Sequence, residues 1–160
     1  MVKILYLDSV KIMIIDLTLA WMHHLCFLGM AAALAMQWAL LHPSRPAIPL
    51  ATLRRSDAWY GSLAMLILLI GAARVAWSPT GADFYLDNPV FWAKIAVFLA
   101  VGTVSAFPTL HYLRWRQQTR HDTAFRPAAA DIGKVRAAIR IQFLGWLALP
   151  ILAAAMARGV

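Results

Sequence analysis

The sequence predicts an all-α integral membrane protein, a single four-helix bundle over residues 1–160 with both termini on the non-cytoplasmic side, and three observations carry that reading. Of the residues, 62% belong to the hydrophobic set and 14% are charged, so a water-soluble domain of this size would leave wide apolar areas exposed. Charge-free runs at 17–41, 58–73, 95–113 and 141–157 each approach the roughly 20 residues that cross a bilayer as a helix. None alternates like a barrel strand, and in hydrocarbon only helices or closed barrels satisfy the backbone. The third observation is where the charge sits. Arg45, Arg54 and Arg55 follow the first run, and Arg114, Arg116, Arg120, Arg126, Lys134, Arg136 and Arg140 surround the third connection, whereas the second carries Asp83 and Asp87. Basic loops mark the cytoplasmic side.

Taken in order, the spans are expected at about 16–41, 57–77, 90–113 and 135–158, with cytoplasmic loops at 42–56 and 114–134 and an outer loop at 78–89. Residues 1–15 contain Lys3, Asp8 and Lys11, which interrupt any apolar signal region, so the segment reads as an extension that helps to start helix one. Pro43, Pro46 and Pro49 close that helix, since each lacks a backbone donor and restrains the residue before it. Ser56 and Asp57 offer N-cap oxygens for helix two, and Asp87 or Asn88 does so before Pro89 at the first turn of helix three. Pro108 breaks the hydrogen-bond ladder late in helix three. The connection from Arg114 to Lys134 is long and polar enough to be mobile in water, and Asp131 then caps helix four. Gly29, Gly61, Gly71, Gly102, Gly145 and the alanines at 153–155 supply small residues for close helix contact, while the seven tryptophans read mostly as an interfacial belt.

A net charge of +8 invites a nucleic-acid reading, but the basic residues sit at membrane edges, so the expected partners are the lipid bilayer and a membrane protein or second copy, with no nucleic acid. Cys26 is the sole cysteine, which excludes an intrachain disulfide and a thiolate metal cluster.

Ionisable groups inside hydrocarbon cost several kcal/mol unless paired or snorkelling, so each is a functional candidate. Counting from the outer ends at 1.5 Å per residue, His23, His24, Arg74 and Lys94 share one layer in the outer half. Arg74, Lys94 and Arg158 either snorkel to lipid phosphates or join Asp83, Tyr85 and Asp87 in a paired network or anion site. Adjacent histidines differ by about 100° around a helix, so one at most points squarely inward. Two haem ligands must share a depth, and His111 lies about 20 Å deeper than His24, so one haem would take His24 or His23, alone or with a deprotonated Lys94. His42 and His121 read as solvated loop residues. A second layer, Arg55, Asp57, Tyr60, His111 and Arg114, reads as a cap of interfacial anchors in which Asp57 meets arginines across the bundle.

The stretch Asn88-Pro89-Val90-Phe91-Trp92-Ala93-Lys94, continuing through Ser105-Ala106-Phe107-Pro108-Thr109 to Leu113-Arg114-Trp115-Arg116, resembles the signature of a bacterial family of inner-membrane proteins of unknown function. His23-His24, Arg55-x-Asp57-x-x-Tyr60-Gly61, Gly71-x-x-Arg74 and Met156-Ala157-Arg158-Gly159 agree with it. That resemblance implies a bacterial inner-membrane, multi-pass location and no activity. More distantly, Trp21-Met22 near His24 and Trp92-x-Lys94 are similar to the flavin-independent membrane protoporphyrinogen oxidase, which implies a b-type haem served by His24 and Lys94. The tyrosine-leucine-proline-arginine run of that family is replaced here by Ala32-Ala33-Leu34-Ala35.

Two functions follow as expectations. One is a redox protein holding one haem b or porphyrin in the outer half: His24 or His23 on iron, Lys94 as second ligand or proton carrier, Arg74 on a propionate, and Tyr60 or Tyr85 relaying a proton. The other is a non-catalytic subunit or assembly factor of a larger membrane complex.

Overall fold

The computed structural model describes residues 2–45 and 47–159, with side chains from Val10 onward. Pro46 and the side chains of Lys3 and Asp8 lie outside the described residues. Five helices follow in order: α1 (Val2–Leu40), α2 (Leu50–Ala76), the one-turn α3 (Asp83–Leu86), α4 (Pro89–His121) and α5 (Ala129–Ala157). The stretches Val10–Leu40, Leu50–Ala76, Pro89–His121 and Ala129–Ala157 are long and apolar enough to span a membrane, and no strand occurs among the described residues. The chain is a four-helix membrane bundle. Large apolar side chains such as Leu25, Leu69, Leu99, Leu144 and Ile151 point outward, the inside-out pattern of a body solvated by lipid.

Several helix ends differ from the sequence expectation. α2 begins at Leu50 with Pro49 at its N-cap (φ −78°), where a fixed φ and a missing N–H cost a helix start nothing. Ser56 is therefore inside the helix, donating to the Ala33 carbonyl (2.7 Å), and Asp57 accepts from Thr109 Oγ1 (3.0 Å). Neither is a cap, and across the bundle Asp57 meets a hydroxyl of α4 in place of an arginine, with Arg54 of its own helix within electrostatic reach. Asn88 does cap α4, accepting from the Val90 amide at 2.8 Å with Pro89 in the first turn. Asp131 lies within the first turn of α5, after Ala128 at the N-cap, where it complements the helix dipole and pairs with Lys134 (3.4 Å). The third connection is also shorter than expected: α4 runs on to His121, leaving 122–128 as loop, since its arginines and glutamines are good helix formers beyond the bilayer. In the second connection, Gly81 takes φ +85° where the Ser78–Gly81 turn closes, and α3 was not foreseen.

The bundle is two helical hairpins. α1 packs along α2 and α4 along α5, and the hairpins meet through α2 with α4 and, over less surface, α1 with α5. Toward the arginine-rich end they are tied by polar bonds: Asp57 with Thr109, Tyr112 Oη donating to Gln37 Oε1 (3.1 Å), and Arg136 donating to the carbonyls of Trp38 (3.3 Å) and Leu41 (2.8 Å). Leu34, Leu53, Tyr112 and Ile139 are fully buried there. Near mid-depth Phe27 stacks on Trp146, centroids 3.4 Å apart, so Trp146 is core, as is Trp115; Trp21, Trp59, Trp77 and Trp92 remain exposed as belt residues. Tyr112→Phe is expected to destabilise the bundle by about 1 kcal/mol, because a membrane-buried Gln37 oxygen loses its donor. Adding Gln37→Leu is expected to recover most of that loss in a double-mutant cycle read by denaturation in mixed micelles.

Candidate functional site

Beyond the Phe27–Trp146 stack, toward the α3 end, the hairpins diverge around a cavity of about 470 Å³. α1 contributes His23, His24 and Phe27; α2 contributes Ile67, Gly71 and Arg74; Tyr85 comes from α3, Phe91, Lys94 and Phe98 from α4, and Leu149 and Pro150 from α5. The walls are mostly apolar with a few polar groups gathered at one level, the usual make-up of a small-molecule site of this size.

Each polar group has a definable placement. His24 Nδ1 contacts the Ala20 carbonyl at 2.6 Å, one turn back on its own helix. With that nitrogen carrying the proton, Nε2 is left as a bare lone pair. His23 is half-buried, its Nδ1 enclosed and its ring near the Ile67 backbone of α2. Its ring lies against Gly71, where an added Cβ would sit 3.4 Å from Cε1, an ordinary van der Waals contact. Both histidines border the cavity, so the 100° between them does not exclude either. Lys94 sits one turn into α4, its ammonium 5.7 Å from the Phe91 ring centroid. Pro150 cannot donate to the Trp146 carbonyl, which interrupts the ladder of α5 where it lines the cavity.

His23, His24, Arg74 and Lys94 thus line one cavity, at the shared depth counted for them, and Tyr85 joins them from the outer connection. Of the alternatives left open for Arg74, a pair forms, but with another partner: Arg74 Nε donates to Asp16 Oδ1 at 3.4 Å, across to α1, not to Asp83 or Asp87. Asp16 wins because it faces α2 from the adjacent helix, whereas the loop aspartates stay exposed at the surface. Its signal in the sequence was plain: a lone carboxylate just before the first charge-free run. Arg158 is exposed at the C-cap of α5 and does not line the cavity. Tyr60 is buried with its hydroxyl unpartnered, but it precedes Gly71 by eleven residues on α2, about 16 Å of helix rise, and so stands apart from the cavity. His111 bonds the Phe107 carbonyl (3.0 Å) in the arginine-rich half, and His42 bonds Ser44 (2.7 Å) in the first loop. Among the described residues no three His, Cys, Asp or Glu side chains converge as a metal site.

Fold and cavity together define a four-helix membrane protein with an amphipathic pocket in the half that bears the termini. The chain belongs to the family described as predicted membrane protein (DUF2214), whose model matches residues 15–160. No curated protein and no solved structure matches it.

Proposed function

We propose that the cavity holds one b-type haem or related porphyrin and that the chain is a membrane redox protein of the bacterial inner membrane. The observation that supports this most is the His24–Ala20 hydrogen bond, which leaves Nε2 as the free donor atom at the edge of the cavity. Haem-ligating histidines are commonly oriented by a bond of this kind from the other ring nitrogen. One or two protein ligands are enough for haem iron, so a three-residue cluster is not required. Phe27, Phe91 and Phe98 would flank a planar ring, and Arg74 and Lys94 supply positive charge for its carboxylates. Arg74 is held in position by Asp16 through Nε, and its terminal nitrogens make no hydrogen bond among the described residues. Lys94 is the candidate second ligand or proton carrier, and Tyr85 is the tyrosine placed to pass a proton at the mouth. Bound iron would supply one-electron chemistry, in electron transfer with a quinone or in oxidation of a porphyrinogen; the latter draws on the likeness of His24 and Trp92-x-Lys94 to the protoporphyrinogen oxidase.

The test is the visible spectrum of the purified chain, oxidised and dithionite-reduced, beside His23→Ala, His24→Ala, Lys94→Ala and Gly71→Leu. A stoichiometric Soret band is expected, lost in His24→Ala, retained in His23→Ala, and lost in Gly71→Leu because the new side chain fills the cavity. A colourless, folded protein even after growth with haem precursor would sink the reading and leave the non-catalytic subunit in its place. A band lost only in His23→Ala would move the ligand to His23.

A further inference from the structure

We propose that the corner between the first turns of α2 and the last turns of α4 binds the phosphate of an anionic phospholipid through Arg54, Arg116 and Arg120. The Asp57–Thr109 hydrogen bond sets the register of these antiparallel helices. Arg54 lies three residues before Asp57, toward the arginine-rich end; Arg116 lies seven residues after Thr109, two helical turns on and within about 20° of the same face, with Arg120 one turn further. Arg116 and Arg120 therefore lie on the face of α4 that meets α2, Arg54 lies about 60° round α2 from Asp57, and Arg116 is within electrostatic reach of both Arg54 and Arg120.

Among the described residues Asp57 lies within electrostatic reach of Arg54, while no salt bridge to Arg116 or Arg120 occurs. Asp57 also accepts from Thr109, and the other two acidic residues of this end are engaged elsewhere, Asp122 accepting from the Ala124 amide (2.8 Å) and Asp131 from Lys134. Pro49 gives α2 no side-chain cap, so the first-turn N–H groups add positive partial charge at the same corner. Arg136 and Arg140 differ, since both lie over the Trp38 ring and Arg136 is spent on α1 carbonyls. Three guanidinium groups outnumber the single carboxylate in reach, which also accepts from Thr109, so they repel one another and a phosphate relieves this with charge-assisted bonds. The occupant is a lipid and not a free ion because the cluster begins where the charge-free run of α4 ends at Leu113, at the depth of the headgroups, with the exposed Leu110 and Leu113 just below for acyl chains. By the positive-inside rule this is the cytoplasmic leaflet.

The chain would be reconstituted in phosphatidylcholine with one-tenth phosphatidylglycerol, stripped stepwise with detergent, and its retained lipids counted by native mass spectrometry. Wild type is expected to keep phosphatidylglycerol over phosphatidylcholine, and Arg54→Gln/Arg116→Gln/Arg120→Gln to lose that preference by roughly fivefold per arginine. The charge-matched Arg55→Gln/Arg114→Gln/Arg126→Gln is expected to keep it. If the first triple variant fails to fold, the fully exposed Arg116→Gln alone, expected to lose about fivefold, decides. Equal losses in both triples would reduce the effect to net charge and overturn the site. Displacement of the lipid by millimolar inorganic phosphate would overturn the lipid as occupant. Neither outcome depends on whether the cavity at the other end holds a cofactor.

Discussion

Gly145→Leu is expected to separate α5 from α4 and to lower stability by about 3 kcal/mol, the upper range for overfilling a packed contact. At this position even a Cβ would collide with the Val101 side chain, which is buried on α4 and, being β-branched, has little rotamer freedom to move aside. In a membrane the hairpin gains little from hiding apolar surface, so close backbone approach and dispersion carry the association, and a glycine there is worth more than its size suggests. Gly145→Ala is expected to show a smaller loss that Val101→Ala relieves. Gly61→Ala and Gly102→Ala are the controls: nothing lies within 4 Å of a Cβ at either, and both are expected to stay within about 0.5 kcal/mol of wild type. Unfolding in mixed micelles followed by circular dichroism measures all five; an unchanged midpoint for Gly145→Leu would refute the packing account.

Arg136→Ala is expected to cost about 2–3 kcal/mol by releasing the end of α1. The guanidinium lies 3.8 Å from the Trp38 ring centroid and donates to the carbonyls of Trp38, in the last turn of α1, and of Leu41, just past its end, where carbonyls lack helical donors. One side chain on α5 therefore stacks on a ring, caps a helix and ties the two hairpins. Arg136→Lys keeps the charge but loses the planar fork and most of the stacking, so it is expected to recover less than half of the loss. Limited proteolysis of the 41–49 connection reads the effect directly: cleavage should accelerate in Arg136→Ala and stay unchanged in Arg140→Ala, which lies farther from the ring at 5.5 Å.

The candidate site was partly legible. The depths of His23, His24, Arg74 and Lys94 could be counted from the ends of charge-free runs, because a membrane helix converts residue number into depth at a fixed rise. The partner of Arg74 could not be counted in that way. Asp16 and Asp83 are both near the same end, and the choice between them depends on which helix faces α2. Pro150 and Gly71 carried no functional signal either, since a proline or a glycine in a transmembrane helix acquires meaning only from what packs beside it.

What the sequence by itself determined is the number of spans, their order and the end at which the basic residues collect. Hydrocarbon leaves the backbone almost no alternative to helix, and charge is excluded from its centre. Rotation about each helix axis was left open, because every span is apolar all round and lipid accepts any face that protein does not. Only the tertiary structure decided that Trp146 stacks on Phe27 inside the bundle, that Asp57 meets Thr109, and that the hairpins close at the arginine-rich end and part around the histidines. Those choices rest on small residues, single hydrogen bonds and shape, each worth about 1 kcal/mol and none visible as a hydrophobic period when both sides of a helix are equally apolar.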